Sequence, residues 1–183
     1  MEKSIKLNKN NVLIDDINYD IKALNKRSET SYVFITIDNQ YIFKKVRKYY
    51  EYEIFEREVY LLNLLNQHVS WVPKLIAYDN DEKIIMTEYC GVPLNKNNKP
   101  SNFKKQIKQI KIDLKKLNIQ HNDLKIDEEE DILVKDDKIF ICDWGWGSIN
   151  NEHSCGIHLW NGKKPHSQKQ TDEENLIELI NNN

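Results

Sequence analysis

The sequence predicts an α+β fold in two lobes, strand-rich to about residue 90 and helical beyond it. Three observations lead there. Short β-branched and aromatic runs dominate the first half, whereas two of the three helix-period stretches fall in the second. The segment GVPLNKNNKP at 91–100 carries turn and breaker residues and is the natural lobe boundary. A length of 183 residues suits one domain or two small lobes packed together.

Taken in order, residues 1–30 are mixed and polar, with short apolar pieces at Val12–Ile14 and Ile21–Leu24. Tyr32–Ile37 and Tyr41–Val46 read as strands joined by the turn pair Asp38-Asn39, which makes a β-hairpin. Residues 51–67 have helical spacing, with Ile54, Phe55, Val59, Leu61, Leu62 and Leu65 as the apolar stripe. Pro73 is expected to end that helix, because proline disfavours helix in the residue before it. Leu75–Tyr78 and Lys83–Glu88 form a second hairpin around Asp79-Asn80-Asp81. Residues 101–118 make an amphipathic helix through Phe103, Ile107, Ile110, Ile112, Leu114 and Leu117. Two short strands at 131–134 and 138–142 flank Lys135-Asp136-Asp137, and a last helix covers Asp172–Ile180.

The bulk properties exclude several classes. Net charge is −2 with basic and acidic residues interspersed, so nothing points to nucleic acid. No apolar run is long enough for a membrane span, and the polar N-terminus shows no signal-peptide core, so no membrane partner is expected. Cys90, Cys142 and Cys155 are odd in number and widely spaced, which argues against a disulfide framework and for a reducing, cytoplasmic setting. His153, Cys155, His158 and His166 are zinc-competent, but their spacing matches no tetrahedral site. Trp144, Trp146 and Trp160 read as packing residues.

Four features then fall in a telling order: Lys44-Lys45 within a strand, Glu58 on the following helix, His121-Asn122-Asp123-Leu124 just after a helix, and Cys142-Asp143-Trp144-Gly145 at the end of a hairpin. In this order and spacing the chain resembles the eukaryotic-protein-kinase-like superfamily, from about Tyr32 to Asp143. The resemblance implies a bilobal protein-kinase-like fold with a β-rich N-lobe (1–90) and a minimal, truncated helical C-lobe (91–183), together one kinase-like domain over 1–183. It implies ATP and Mg2+ as cofactors. By that resemblance Lys44 grips the phosphates, Glu58 pairs with Lys44, Asp123 is the catalytic base and Asp143 holds magnesium. Glu88 and Cys90 would offer hinge groups to adenine, and the helix starting at Asp172 looks like the one whose aspartate braces the catalytic loop.

The chemistry stands beside the resemblance. Phosphoryl transfer needs dense negative charge neutralised at a fixed place. A strand lysine is a point charge on a rigid support, and an opposing glutamate keeps it from swinging away. Lys45 must face the other side of the strand. Carboxylates suit magnesium, a hard cation that prefers oxygen.

The pattern also departs from the family. The phosphate loop has no glycine; Asn25–Ser31 would use Ser28 and Ser31 hydroxyls instead. Asn122 replaces the arginine that reads an activation-loop phosphate, so control by such phosphorylation is not expected. The family's metal-binding Asn lies five residues after the catalytic aspartate, whereas here the strand register puts Asp131, eight residues on, in that slot. Residues 126–130 then loop out, with Asp127 or Glu128 as the other candidate ligands. The chain after Asp143 is short, so the substrate docks differently, or a protein partner completes the C-lobe, or the domain no longer transfers phosphate. The expected function is therefore an ATP- and Mg-dependent protein serine/threonine kinase acting on a protein or small-molecule hydroxyl. The alternatives are a pseudokinase that regulates a partner, and an aminoglycoside- or choline-kinase-like small-molecule kinase.

Overall fold

The computed structural model describes residues 1–24, 30–48, 54–124, 131–150 and 171–181. Its largest element is a seven-stranded antiparallel sheet. The strands are β1 (Ile5–Leu7), β2 (Asn11–Ile14), β3 (Ile17–Ala23), β4 (Ser31–Thr36), β5 (Tyr41–Val46), β6 (Leu75–Asp79) and β7 (Ile84–Glu88). Their order is β1-β2-β3-β4-β5-β7-β6. The sheet curls until its first and last strands nearly meet. Glu2 bridges to Tyr78, Lys3 N donates to Tyr78 O, and Tyr78 N donates to Met1 O. The buried carboxylate of Asp79 fastens the seam by accepting the Ile5 N–H at 2.6 Å, while its other oxygen takes the N–H groups of Asp81 and Glu82.

The hairpins read from the sequence at 32–46 and 75–88 are present, in the registers Val33↔Lys44 and Tyr78↔Ile85. β1 to β3 were not anticipated. Only Ile21 of β3 is buried, so the alternation that marks a half-buried strand is faint there. Their tight turn uses Asp15 and Asp16, both at positive φ, where hairpins more often carry Asn-Gly. Asp136 and Asp137 repeat this device between β10 (Ile132–Lys135) and β11 (Lys138–Ile141).

Three helices complete the described chain. α1 (Glu56–Leu65) buries Val59, Leu61, Leu62 and Leu65 of the stripe read from the sequence, and Ile54 and Phe55 are buried just ahead of it. It stops well before Pro73. The Asn66 side chain ends it by donating to Pro73 O and accepting the Leu75 N–H, which ties the helix end to β6. α2 (Phe103–Leu117) buries Phe103, Ile107, Ile110 and Leu114, but Ile112 is exposed and belongs to the solvent face. Asn118 closes α2 in the left-handed conformation. α3 (Asp172–Asn181) starts with a capping box, in which Thr171 Oγ1 accepts Glu174 N–H and Glu174 Oε2 accepts Thr171 N–H. Within 91–100, expected to be loop throughout, Val92–Pro93 forms β8 against β10. Ile119–Gln120 (β9) and Ser148–Ile149 (β12) make a two-stranded ladder.

The expected bilobal kinase-like fold, with a β-rich N-lobe and a minimal helical C-lobe, is overturned. The described residues form a mostly-sheet fold whose seven antiparallel strands make a nearly closed, barrel-like sheet, with three short helices beside it. The physical reason lies in the core. One apolar cluster fills the barrel interior through Ile5, Val12, Ile21, Phe43, Ile84 and Met86. The other runs without a break from Val46 and Ile85 on the sheet, through α1, to Ile107, Ile141, Trp144 and Leu176. The apolar core therefore does not divide at residue 90. No helix among the described residues is long and apolar enough to cross a membrane.

Candidate active site

Alternation along β5 settles where Lys44 points. Phe43 enters the barrel core, so Lys44 projects from the opposite face, toward α1. It is 9% exposed, too buried for a lone ammonium. Its Nζ donates to Glu58 Oε2 at 2.6 Å and to Asp143 Oδ1. Lys45 faces the other way and pairs with Glu82 at 2.7 Å. Glu58 is itself buried on the inward face of α1, between the turns that carry Phe55 and Leu62. The pairing of Lys44 with Glu58 that the spacing implied is thus present, and Asp143 joins it.

Electrostatics follow from this geometry. Burial alone would lower the Lys44 pKa, but the charges of Asp143 and then Glu58 outweigh it, and the ammonium is held well above its usual range. Burial raises the Glu58 carboxyl above its ordinary value; Lys44 opposes that rise, and the charge of Asp143 adds to it. The Cys142 thiol is also pushed well up, first by burial and then by the charges of Asp131 and Asp143.

Asp143 sits just past β11 in the left-handed conformation, at φ 64° and ψ 58°. The residues after it are fixed. Trp144 is fully buried, donates its indole N–H to Ile141 O at 3.0 Å, and meets the His121 ring edge-on with centroids 4.7 Å apart. A Cβ on Gly145 would come 2.5 Å from Ile54 Cγ2, and one on Gly147 would come 2.4 Å from Leu61 Cδ1. Both glycines therefore let this segment lie directly on α1. Across the hairpin, Ile132 pairs with Ile141 and Cys142 N donates to Asp131 O at 2.9 Å. That is the register read from the sequence, and it puts Asp131 at the mouth of the strand pair beside Asp143.

The segment 121–124 leaves β9 and is held from three sides. Asp172 accepts the main-chain N–H groups of His121 and Asn122, so it braces this segment as the resemblance implied. Asn175 donates to Leu124 O at 2.7 Å. His121 Nε2 lies 2.8 Å from Cys142 O; a carbonyl only accepts, so Nε2 carries the proton. His121 Nδ1 is then a buried acceptor with no hydrogen-bond partner among the described residues. Asp123, in the middle of the segment, is half-buried.

Ser31 is buried at the start of β4, opposite Val46. Ser28 falls outside the described residues, as do Asp127, Glu128, the 126–130 insertion, Trp160 and the His153, Cys155, His158 and His166 set. Glu88 is committed to strand pairing: its N–H donates to Lys74 O and its Oε1 accepts Lys74 N–H, both at 3.0 Å. Cys90 is buried, and burial followed by the charge of Glu88 pushes its thiol up. Sequence reading missed Asn175 and the positive role of Asn122. A buried polar residue on an otherwise apolar helix face was the available signal for Asn175.

The donor set fits a small hard cation in part. Asp143 keeps a side chain 41% exposed beside Lys44, and half-buried Asp131 lies across the strand pair, its main-chain oxygen bonded to Cys142 N. Two carboxylates suit magnesium, which takes its other oxygens from water and phosphate. Among the described residues no group of three or more His, Cys, Asp and Glu is placed to hold a metal. No protein-family model matches the chain, and comparison with curated proteins gives no match.

Proposed function

We propose that the chain is a phosphotransferase that binds ATP with magnesium and moves the γ-phosphate to a hydroxyl, with a protein serine or threonine as the acceptor. The observation that carries the reading is Lys44, a buried strand lysine held between Glu58 and Asp143. The reading rests on these side chains and not on the fold class.

In this reading Lys44 offers a fixed positive charge to the phosphates, and Glu58 keeps the ammonium from turning away. Asp143 and Asp131 would hold magnesium, which when bound neutralises charge on the phosphate oxygens. Asp123 accepts the hydroxyl hydrogen bond and takes the proton late. Its neighbours are fixed, so its carboxylate meets the acceptor at little cost in ordering.

The test is ATP turnover with magnesium, against generic protein substrates and small alcohols. Asp143→Asn and Lys44→Met are each expected to lower transfer by more than ~100-fold, the size seen when a preorganised electrostatic group is removed. Circular dichroism should show both variants folded. Transfer that survives Asp143→Asn overturns the assignment. Nucleotide binding by a wild type that transfers nothing would leave the regulator reading in its place.

A further inference from the structure

Asn122 stands where the resemblance puts an arginine, and from the sequence its role is only negative: it cannot read a phosphate. The structure gives it a positive one. Asn122 is at φ 65°, in the left-handed region that asparagine tolerates better than most residues. That turn aims its side-chain amide away from 121–124 and toward the segment after Asp143. Nδ2 donates to Trp146 O at 2.9 Å and to Ser148 Oγ at 3.0 Å, so both amide hydrogens are used. Its main-chain N–H meanwhile goes to Asp172. Asn122 thus bonds the far end of the 143–148 segment, while His121 bonds the near end at Cys142 O.

We propose that Asn122 is a positioning residue that fixes the distance between Asp123 and Asp143, so that the base and the metal-side carboxylate move as one unit. The inference rests on the phosphotransfer reading above. The two carboxylates come from different segments: Asp123 from the chain leaving β9, and Asp143 from the end of β11. The His121 bond and the two Asn122 bonds join those segments on either side of Asp143. Loss of the Asn122 bonds leaves the β9–β12 ladder at one end and the His121 bond to Cys142 at the other, and loosens the span between them that carries Asp123 and Asp143. Displacement on the order of 1 Å at a reacting group costs roughly 100-fold in rate. Ground-state binding of ATP does not use Asp123, so its KM should not follow.

The experiment measures kcat and KM for ATP in the wild type, Asn122→Gly, Ser148→Ala and the double variant, each corrected for the folded fraction from a thermal melt. Glycine accepts φ 65° without strain and removes the side-chain amide that makes both bonds. Asn122→Gly should lower kcat ~10- to 100-fold with KM for ATP within about twofold of wild type. Ser148→Ala should give a smaller fall, and none in the Asn122→Gly background, because the shared bond is already gone. An active wild type whose Asn122→Gly variant keeps its kcat overturns the inference, as do losses that add in the double variant. If Asn122→Gly does not fold, Ser148→Ala decides: an unchanged kcat overturns the proposal, and a lower kcat at unchanged KM supports it. A wild type that transfers no phosphate overturns the phosphotransfer reading and this inference together, and that failure is visible before any variant is made.

Discussion

Lys44 is where the balance of charges is tightest. It meets two carboxylates, Glu58 and Asp143, and both Lys44 and Glu58 are almost out of water. Removing the cation strands Glu58, and breaking a buried pair in this way costs about 3 kcal/mol or more. Lys44→Met should therefore be markedly less stable than the wild type in urea at pH 8. The loss should shrink as the pH falls. Glu58 already has a raised pKa in the folded protein, through burial and the charge of Asp143, and without Lys44 the main influence opposing that rise is gone. A carboxyl raised on folding contributes stability below its unfolded value that is lost as pH rises through the folded one. Urea midpoints for Lys44→Met should thus recover between pH 8 and pH 5. A midpoint that stays flat or drops further over that range would mean that Glu58 is not what the lysine compensates. The Lys44–Glu58 pair was legible because strand alternation and helix phase each leave one inward position. Asn122 and Asn175 were not, because no sequence pattern announces their partners, two main-chain oxygens and the Ser148 hydroxyl.

At the level of elements, α1 and the 144–147 segment are fitted to each other by two missing side chains. Gly147 is the tighter case, with Leu61 Cδ1 on one side and the main-chain oxygens of Gln120 and Trp144 each 3.2 Å from an added Cβ. Gly147→Ala should cost roughly 1–3 kcal/mol by overpacking. Combined with Leu61→Ala, which clears the nearest atom, it should cost less than the sum of the two single changes. A denaturant-unfolding cycle measures this, and strict additivity would show that the two surfaces are not in contact. Strongly periodic elements were readable: α1, α2, α3 and the three hairpins from β4 onward all appear within a few residues of where the sequence puts them. The weak ones were not. β8, β9 and β12 are two residues each, and β2–β3 turns on an Asp pair instead of a glycine.

For the whole molecule, the sequence led to two lobes because breaker residues cluster at 91–100, and breakers mark a loop but not a division of the core. What α1 packs against on both of its sides, and that residues 1–5 close on β6, are contacts between distant parts of the chain with no local signature. Asp79 concentrates that closure. Asp79→Ala removes the acceptor for three main-chain N–H groups, at least one of them buried, and should cost about 2 kcal/mol or more. Hydrogen exchange should show Ile5 as the amide that loses most protection; equal protection in the variant would place the seam's strength elsewhere. The closure also bears on how the protein stays a separate molecule. An outermost strand with bare N–H and C=O groups is a template for another chain, and here the residues leading into β1 bridge to β6, so that the seam covers part of both outermost strands. A chain that loses the seam uncovers two such templates at once, at opposite ends of one sheet. Its failure should then appear as concentration-dependent polymerisation, before any loss of helix and well short of global unfolding.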